Sequence, residues 1–451
     1  MSGSYDVIFA AKGPKSKSHW KTIMSSTFSD PSAPRIYNLF PLLTGPFPRW
    51  APHLQRARQM EFNWLFVNPI QLSGFSRSLY SIKDYYAIDP RFIDLSAGAP
   101  EDQFRKTISY ARELGLRVMM DLVINHTAFD SALLTEHPSW YKRGIDGKPI
   151  HPGTRDGNRE VIWGDLLEID NTRNHDGLWQ YWIALAEHYA NLGVEGFRCD
   201  AAYKVPPELW RVLIQSVKVH HPGVRFFAES LGCPIEDTVR LAQSGFDFIF
   251  NSSKWWDFAA PWCLSQYRQT AALVPSVSFP ESHDTERLAA ELKGDQAAVK
   301  MRYAFAALFS AGVMMPIGFE YGFRRRLHVV ETRSEDWEIQ SWDICDFVTR
   351  VNLLKKSRRI FNEEGALDSV SLGNTNLFAF MKWSRDRNER ALVVINKDRA
   401  NPQSFSTQWA GQLFAGVGRF EDLSPEGALG HTPDFKTCTL RPSGLHVLWA
   451  V

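Results

Sequence analysis

Gly196-Phe197-Arg198-Cys199-Asp200 closes a short apolar run that follows a helical segment, and it ends on a charged pair. Side chains alternate along a strand with a period of two, so Arg198 and Asp200 point to the same face. A permanent cation beside a carboxylate favours the ionised form, and an ionised carboxylate facing a site can serve as a nucleophile. Taken alone, an Arg-x-Asp pair is more often a buried ion pair at a strand end. Three further strand ends change the reading: Asp121–His126 (DLVINH), Phe227–Glu229 (FAE) and Glu281–Asp284 (ESHD) also finish on polar, titratable groups. Packing alone gives no reason for four such termini on four strands.

Outward from this stretch, short apolar runs alternate with amphipathic segments, the pattern of a parallel sheet with crossover helices. Strands are predicted near Arg35–Phe40, Trp64–Asn68, Arg117–Leu122, Glu195–Asp200, Arg225–Glu229, Phe246–Phe250, Ser276–Pro280 and Val313–Ile317. Helices are predicted over Pro100–Leu114, Gly177–Leu192, Pro207–His220 and Lys300–Ala311. In the third of these, Leu209, Trp210, Leu213 and Val217 recur at helical spacing behind a first-turn proline. Eight strand-helix units make an α/β chain that closes as a (β/α)8 TIM barrel. An open doubly wound sheet would want a glycine-rich phosphate turn after an early strand, and no G-x-G-x-x-G run occurs.

Two segments break the alternation. Residues 127–176 are too long for a loop between a strand and its return helix, and they are expected to form a short excursion domain after strand 3. From about Asn362, the runs Leu367–Leu372, Leu377–Trp383, Ala391–Asn396 and Leu445–Val451 alternate like antiparallel strands. The domains expected are thus a barrel from residues 1–126 and 177–361, an excursion domain over 127–176, and a C-terminal antiparallel β-sandwich over 362–451.

Composition narrows the class. The chain has 451 residues, 44% hydrophobic and 22% charged, enough for a large domain and a smaller one. Its 51 basic and 50 acidic residues balance to +1 without a basic run, so neither a nucleic acid nor a membrane surface is expected as partner. The first residues, Met1–Lys21, contain no apolar leader-like core, and the five cysteines are odd in number with no C-x-x-C spacing. These features predict a cytoplasmic protein with free thiols. The oligomeric state is left open by the sequence. Sixteen tryptophans and 13% aromatic residues supply core material and potential platforms for sugar rings alike.

The motifs DLVINH (121–126), GFRCD (196–200), AES (228–230) and SHD (282–284), in this order on successive strands, resemble those of the α-amylase family, glycoside hydrolase family 13. Asn68-Pro69-Ile70, Tyr80–Tyr85 (YSIKDY) and Leu167–Asn171 (LEIDN) agree with that resemblance, which runs from about Arg35 to the C-terminus. Several segments, among them Tyr37–Pro41 and Gly318–Gly322, look most like the maltosyltransferases that extend glucan from maltose 1-phosphate.

The resemblance implies a retaining enzyme acting on α-1,4-glucosidic bonds of maltooligosaccharide, glycogen or starch, by hydrolysis or by transfer. It implies Asp200 as nucleophile, Glu229 as acid and base, and Asp284 as the carboxylate that grips the sugar at the cleaved position. It implies Tyr80 as a stacking platform, His126 and His283 as partners of sugar hydroxyls, and Arg198 beside them as a substrate-binding residue. The chemistry of the residues agrees. Cleaving an acetal needs a protonated acid on the leaving oxygen and an anion opposite the anomeric carbon. Glu229 ends an apolar run, where desolvation keeps a carboxyl protonated near neutrality. No cofactor is required by this chemistry, although Asn125 matches a calcium ligand of many amylases, so calcium is a possible cofactor. Two alternatives stand beside this reading: a maltosyltransferase using maltose 1-phosphate, and an inactive glucan-binding protein. Against the first, the segment Gln71–Ser78 is short where those enzymes carry a long polar loop, and His283-Asp284 is kept where they replace it.

Overall fold

The computed structural model describes residues 33–156, 159–406, 420–426 and 437–451. The N-terminal Met1–Lys21, on which the expectation of a cytoplasmic protein partly rests, lies outside the described residues.

Eight parallel strands close into a barrel in plain sequence order: β1 (Arg35–Leu39), β2 (Trp64–Val67), β3 (Arg117–Leu122), β4 (Gly196–Cys199), β5 (Arg225–Ala228), β6 (Phe248–Phe250), β7 (Ser276–Ser278) and β8 (Gly312–Pro316). A helix returns after each: α1 (Ala51–Gln59), α2 (Pro100–Glu113), α3 (Leu178–Leu192), α4 (Pro207–His220), α5 (Ile235–Ala242), α6 (Trp262–Thr270), α7 (Gln296–Phe309) and α8 (Cys345–Ser357). The sequence pattern marks all eight strands but only four of these helices. The short α1 shows why: it buries only Leu54 and Ala57 and is otherwise polar, so it carries little helical periodicity.

Parallel strands covered on both faces read as continuous apolar runs. Inward residues Ile36, Trp64, Phe66, Met119, Phe227 and Met314 fill the barrel. Outward Phe197 and Cys199 join one core cluster with Leu209, Trp210, Leu213 and Val217 of α4. Each such large side chain removed from water stabilises the fold by about 1.5–3 kcal/mol. Gly196 opens β4 because a Cβ there would sit 2.7 Å from the Trp64 ring. The indole fills the barrel opposite, and only glycine leaves room for it.

The excursion after β3 contains two small antiparallel pairs, His126–Ala128 with Leu166–Glu168 and Gly153–Asp156 with Arg159–Ile162. A hairpin that the sequence pattern does not announce, Gln71–Ser73 with Ile82–Ile88, projects after β2, and its register is shifted by bulges. The C-terminal region forms a five-stranded antiparallel sheet, in the order Leu367–Val370, Leu377–Trp383, Arg390–Asn396, Leu445–Ala450 and Phe420–Asp422, with a separate pair, Gln403–Ser406 and Thr437–Leu440. Two buried lysines, one on this sheet and one on α8, converge on the end of α7. Lys382 Nζ donates to the carbonyl of Phe309 at 3.0 Å, and Lys355 Nζ to those of Ala307 at 2.8 Å and Ser310 at 2.7 Å, at the C-terminus of α7.

Candidate active site

The C-terminal ends of β3, β4 and β5, with the loop after β7, bring the sequence-marked groups together. Register sets the first contact: Arg198 on β4 lies opposite Asp121 on β3. Arg198 is 4% exposed, and its Nη1 donates to Asp121 Oδ1 at 2.8 Å and Asp200 Oδ1 at 2.6 Å. Its Nη2 lies 3.9 Å from both Glu229 Oε2 and Asp284 Oδ2. One buried guanidinium therefore faces four carboxylates. A buried charge is tolerable only when paired, and removing this cation would leave Asp121 and Asp200 uncompensated at a cost of about 3–5 kcal/mol.

The carboxylates differ in setting. Glu229 is 8% exposed, and burial, only partly opposed by the Arg198 charge, pushes its carboxyl up from 4.5 to about 7. It also accepts backbone N–H groups from Ala201 at 2.7 Å and Leu231 at 2.9 Å. Asp284 is open, with 54% of its side chain exposed, and its loop is held by Arg326 Nη2 donating to the Asp284 carbonyl at 2.9 Å. The arrangement can therefore present a protonated carboxyl and the Asp284 carboxylate to one small pocket, whose walls include Phe66, Leu231, Phe250, Phe279 and Met314, with Asp200 bonded to the Arg198 that lines it.

Tyr80 sits at the centre of a polar chain. Its hydroxyl donates to Asp121 Oδ2 at 2.7 Å, accepts from Asn68 Nδ2 at 2.9 Å, and lies 2.7 Å from His283 Nε2. The ring stacks on His283, with centroids 5.6 Å apart and planes 5° from parallel. Because the hydroxyl proton goes to Asp121, His283 is the donor through Nε2–H, and its Nδ1 is buried with no partner in the structure. Burial lowers the pKa of His283 and of His126, so both rings are neutral donors or acceptors rather than cations. His126 Nε2 meets the Tyr80 carbonyl at 3.1 Å, which joins the excursion to the hairpin after β2.

Asp121, which the sequence marks only as the first residue of its motif, touches Arg198 and Tyr80 directly, and burial pushes its carboxyl up to about 7. Its place inside the cluster could have been found from the register, since the first residue of DLVINH falls on the same inward face as Arg198. Asn38 is a member that the sequence does not mark: its Nδ2 donates to Oδ1 of Asn68 at 2.8 Å, and Asn68 in turn donates to the Tyr80 hydroxyl. Lys204, four residues past Asp200, turns away and donates to the Gly153 carbonyl at 2.8 Å, tying the excursion to the barrel.

Around Asn125, the one residue matched to a calcium ligand, the carboxylates of the excursion are bonded to other side chains. Asn125 Oδ1 is buried without a partner, but Glu168 Oε1 is held by Lys142 Nζ at 2.6 Å, and Asp170 is taken by His175 and Thr172. Among the described residues, no group of three or more His, Cys, Asp or Glu is placed to hold a metal ion. Calcium wants six to eight oxygens, several of them carboxylate.

Comparison with known proteins agrees with the architecture. A family model described as the glucanotransferase domain of glycogen debranching enzyme matches residues 35–142. An α-1,4-glucan:maltose-1-phosphate maltosyltransferase of Burkholderia pseudomallei is 24% identical over 83% of this chain and 34% of its own length. The enzyme of that name from Methylacidiphilum infernorum is 27% identical over 67% of this chain and 47% of its own, and a cyclomaltodextrinase from a Bacillus species 23% over 77% and 65%. The chain thus spans less than two thirds of the length of these relatives. Among solved structures, an α-amylase from Lactobacillus plantarum superposes with a TM-score of 0.75 at 22% identity, covering 93% of this chain and 99% of that one. An α-amylase from Geobacillus thermoleovorans complexed with acarbose gives 0.73 at 15% identity, covering 94% and 99%.

A closed barrel with an excursion after its third strand, a C-terminal β domain and a cluster of carboxylates at the strand ends defines a protein built like an α-amylase. The fold is shared with α-amylases, and maltose-1-phosphate maltosyltransferases stand among the chain's relatives in sequence.

Proposed function

We propose that the protein is a retaining enzyme acting on α-1,4-glucosidic bonds of maltooligosaccharide or larger glucan. The observation that carries this reading is the Arg198 guanidinium, which gathers Asp200, Glu229 and Asp284 around itself while burial keeps Glu229 protonated up to about pH 7. Glu229 gives its proton to the glycosidic oxygen as the bond to the anomeric carbon breaks, and an Asp200 oxygen bonds that carbon from the opposite side. The Glu229 carboxylate then takes a proton from water or from a sugar hydroxyl, whose oxygen displaces Asp200 and restores the α configuration. Asp284 binds hydroxyls of the distorted sugar, Tyr80 offers its ring, and His126 and His283 offer neutral imidazoles. The reaction needs no metal and no other cofactor.

Transfer from maltose 1-phosphate is the second reading, favoured by the maltosyltransferases among the relatives. One pair of incubations separates the two: the purified protein with maltoheptaose, and with maltose 1-phosphate plus glycogen. New reducing ends or rearranged chain lengths in the first support the glucan-acting reading; phosphate release in the second transfers the assignment to the maltosyltransferase. No reaction in either leaves an inactive glucan-binding protein. We place the protein in the cytoplasm, in keeping with five free cysteines and with no described helix long and apolar enough to cross a membrane. A native disulfide among those thiols would argue against that location.

A further inference from the structure

Two large rings stand largely in solvent on the segments that carry Tyr80 and His126. Phe75, at the tip of the hairpin after β2, is 62% exposed, and Phe129, at the root of the excursion, is 48% exposed. They meet edge to face with centroids 6.3 Å apart, and Phe129 is stacked on His151 at 6.1 Å with planes 13° from parallel. Burying either ring would gain about 1.5–3 kcal/mol, so their exposure needs another account.

Their backbones are fixed. The residue before Phe75 is Gly74, where a Cβ would lie 2.4 Å from Asp130 Oδ1 and 2.5 Å from the Ala128 Cβ, so hairpin and excursion are in contact at a point that only glycine fits. Asp130 locks the contact, accepting the Phe75 N–H at 3.2 Å on Oδ1 and the Lys83 ammonium at 2.9 Å on Oδ2. The Phe129 N–H is bound in turn by the Asp165 carbonyl at 2.9 Å. The two rings are therefore held out on rigid supports, as a preorganised surface requires.

Their place follows from the same two segments. Phe129 lies three residues beyond His126 and Phe75 five before Tyr80, and those two site residues are bonded to each other. The two segments that carry the aromatic pair are thus the two that carry Tyr80 and His126 into the site. We propose that Phe75 and Phe129 form a stacking subsite for a glucose unit of the substrate chain distant from the bond being cleaved, which makes them determinants of chain-length preference. The occupant is a pyranose: its faces carry axial C–H groups that pack on aromatic rings, while its equatorial hydroxyls stay in water. The subsite carries no charged side chain of its own that would select an anion, since the Asp130 and Lys83 charges are spent on each other. This inference rests on the glucan-acting reading of the site.

The test compares the wild type with Phe75→Ala, Phe129→Ala and the double variant. The ratio of kcat/KM for maltoheptaose to that for maltotriose is expected to fall roughly tenfold in the double variant, through KM, and to recover in Phe75→Tyr and Phe129→Trp. An unchanged ratio overturns the proposal, and so does an equal loss on both substrates accompanied by a lower Tm, which makes the pair structural. Calorimetric titration of maltoheptaose into Asp200→Asn protein, with and without the two alanines, reads the subsite without turnover. Weaker binding with the alanines supports it even if the wild type cleaves neither sugar, an outcome that sinks the catalytic assignment alone; equal binding overturns the subsite.

Discussion

The backbone N–H of Ala201, the residue directly after Asp200, donates to Oε2 of Glu229 at 2.7 Å. The two carboxylates are thus linked through one peptide group, and that link bends the chain: Ala201 has φ of 40°, in the left-handed region where a Cβ is disfavoured. A second contact runs the same way, the Ala202 N–H donating to the Glu229 carbonyl at 3.1 Å, and the Glu229 N–H donates back to the Cys199 carbonyl at 3.1 Å. The loops after β4 and β5 consequently keep a fixed spacing, which a double displacement demands of its two carboxylates.

Replacing Ala201 by glycine removes the Cβ penalty and keeps the N–H. Stability is expected to rise by up to about 1 kcal/mol, measured by chemical denaturation, because the left-handed conformation no longer strains an L-residue. The kcat is expected to fall several-fold as the loop gains freedom. Lost stability would mean that the Ala201 methyl packs rather than strains.

Glu229 sets the basic limb of the pH profile. As general acid it must be protonated, so kcat/KM on an unactivated maltooligosaccharide is expected to decline as pH rises through about 7, the value to which burial pushes it. The same shift has a stability consequence. A carboxyl whose folded pKa lies above its unfolded value of 4.5 contributes stability below pH 4.5 and loses it as pH rises through 7. Glu229→Gln should therefore melt roughly 1–3 °C above the wild type at pH 8 and with it at pH 4. A variant less stable at pH 8 would show that the carboxylate is held there by favourable contacts.

What the sequence made legible follows from periodicity and chain order. Each barrel strand is buried on both faces and shows as an apolar run, and the period of two puts Arg198 and Asp200 on one face as found. The four return helices that pattern reading missed include α5, of eight residues, and α1, whose burial rests on two residues. The polar chain from Asn38 through Asn68 to Tyr80 spans 42 positions and depends on strands closing side by side, so no local pattern encodes it. Tyr80 shows the limit best. It reads as a free platform, but in the structure its hydroxyl has three partners.

That binding changes what a substitution should do. Tyr80→Phe keeps the ring but leaves Asp121 Oδ2, Asn68 Nδ2 and His283 Nε2 without the hydroxyl, a loss of about 1–3 kcal/mol in a buried network. Denaturant unfolding should register that loss, and kcat/KM should fall roughly tenfold as Tyr80 and His283 lose their alignment. Wild-type stability in Tyr80→Phe would mean that water replaces the hydroxyl without cost.

Removing divalent cations is expected to change nothing. Lys142 supplies the positive charge that Glu168 faces, at 2.6 Å, so EDTA followed by desalting should leave Tm and activity as they were. Lys142→Ala should instead lower the Tm, because it leaves Glu168 without its cation. A Tm that drops with EDTA and returns with calcium would place a cation at Asn125 after all.

The assignment of Asp200 and Glu229 can be separated from simple dependence on both. Asp200→Asn should abolish turnover on every substrate, since an amide neither attacks the anomeric carbon nor balances the cationic transition state. Glu229→Gln should fail on maltooligosaccharides but still react with an α-glucosyl fluoride, whose leaving group needs little protonation. Because the second step then lacks its base, the covalent intermediate should accumulate, and mass spectrometry of a digest should find the sugar on the peptide containing Asp200. In the wild type, proton NMR should show the first-formed product in the α configuration. A β product would mean that water displaces the leaving group directly, and the roles given to both carboxylates would have to be exchanged for those of an inverting pair.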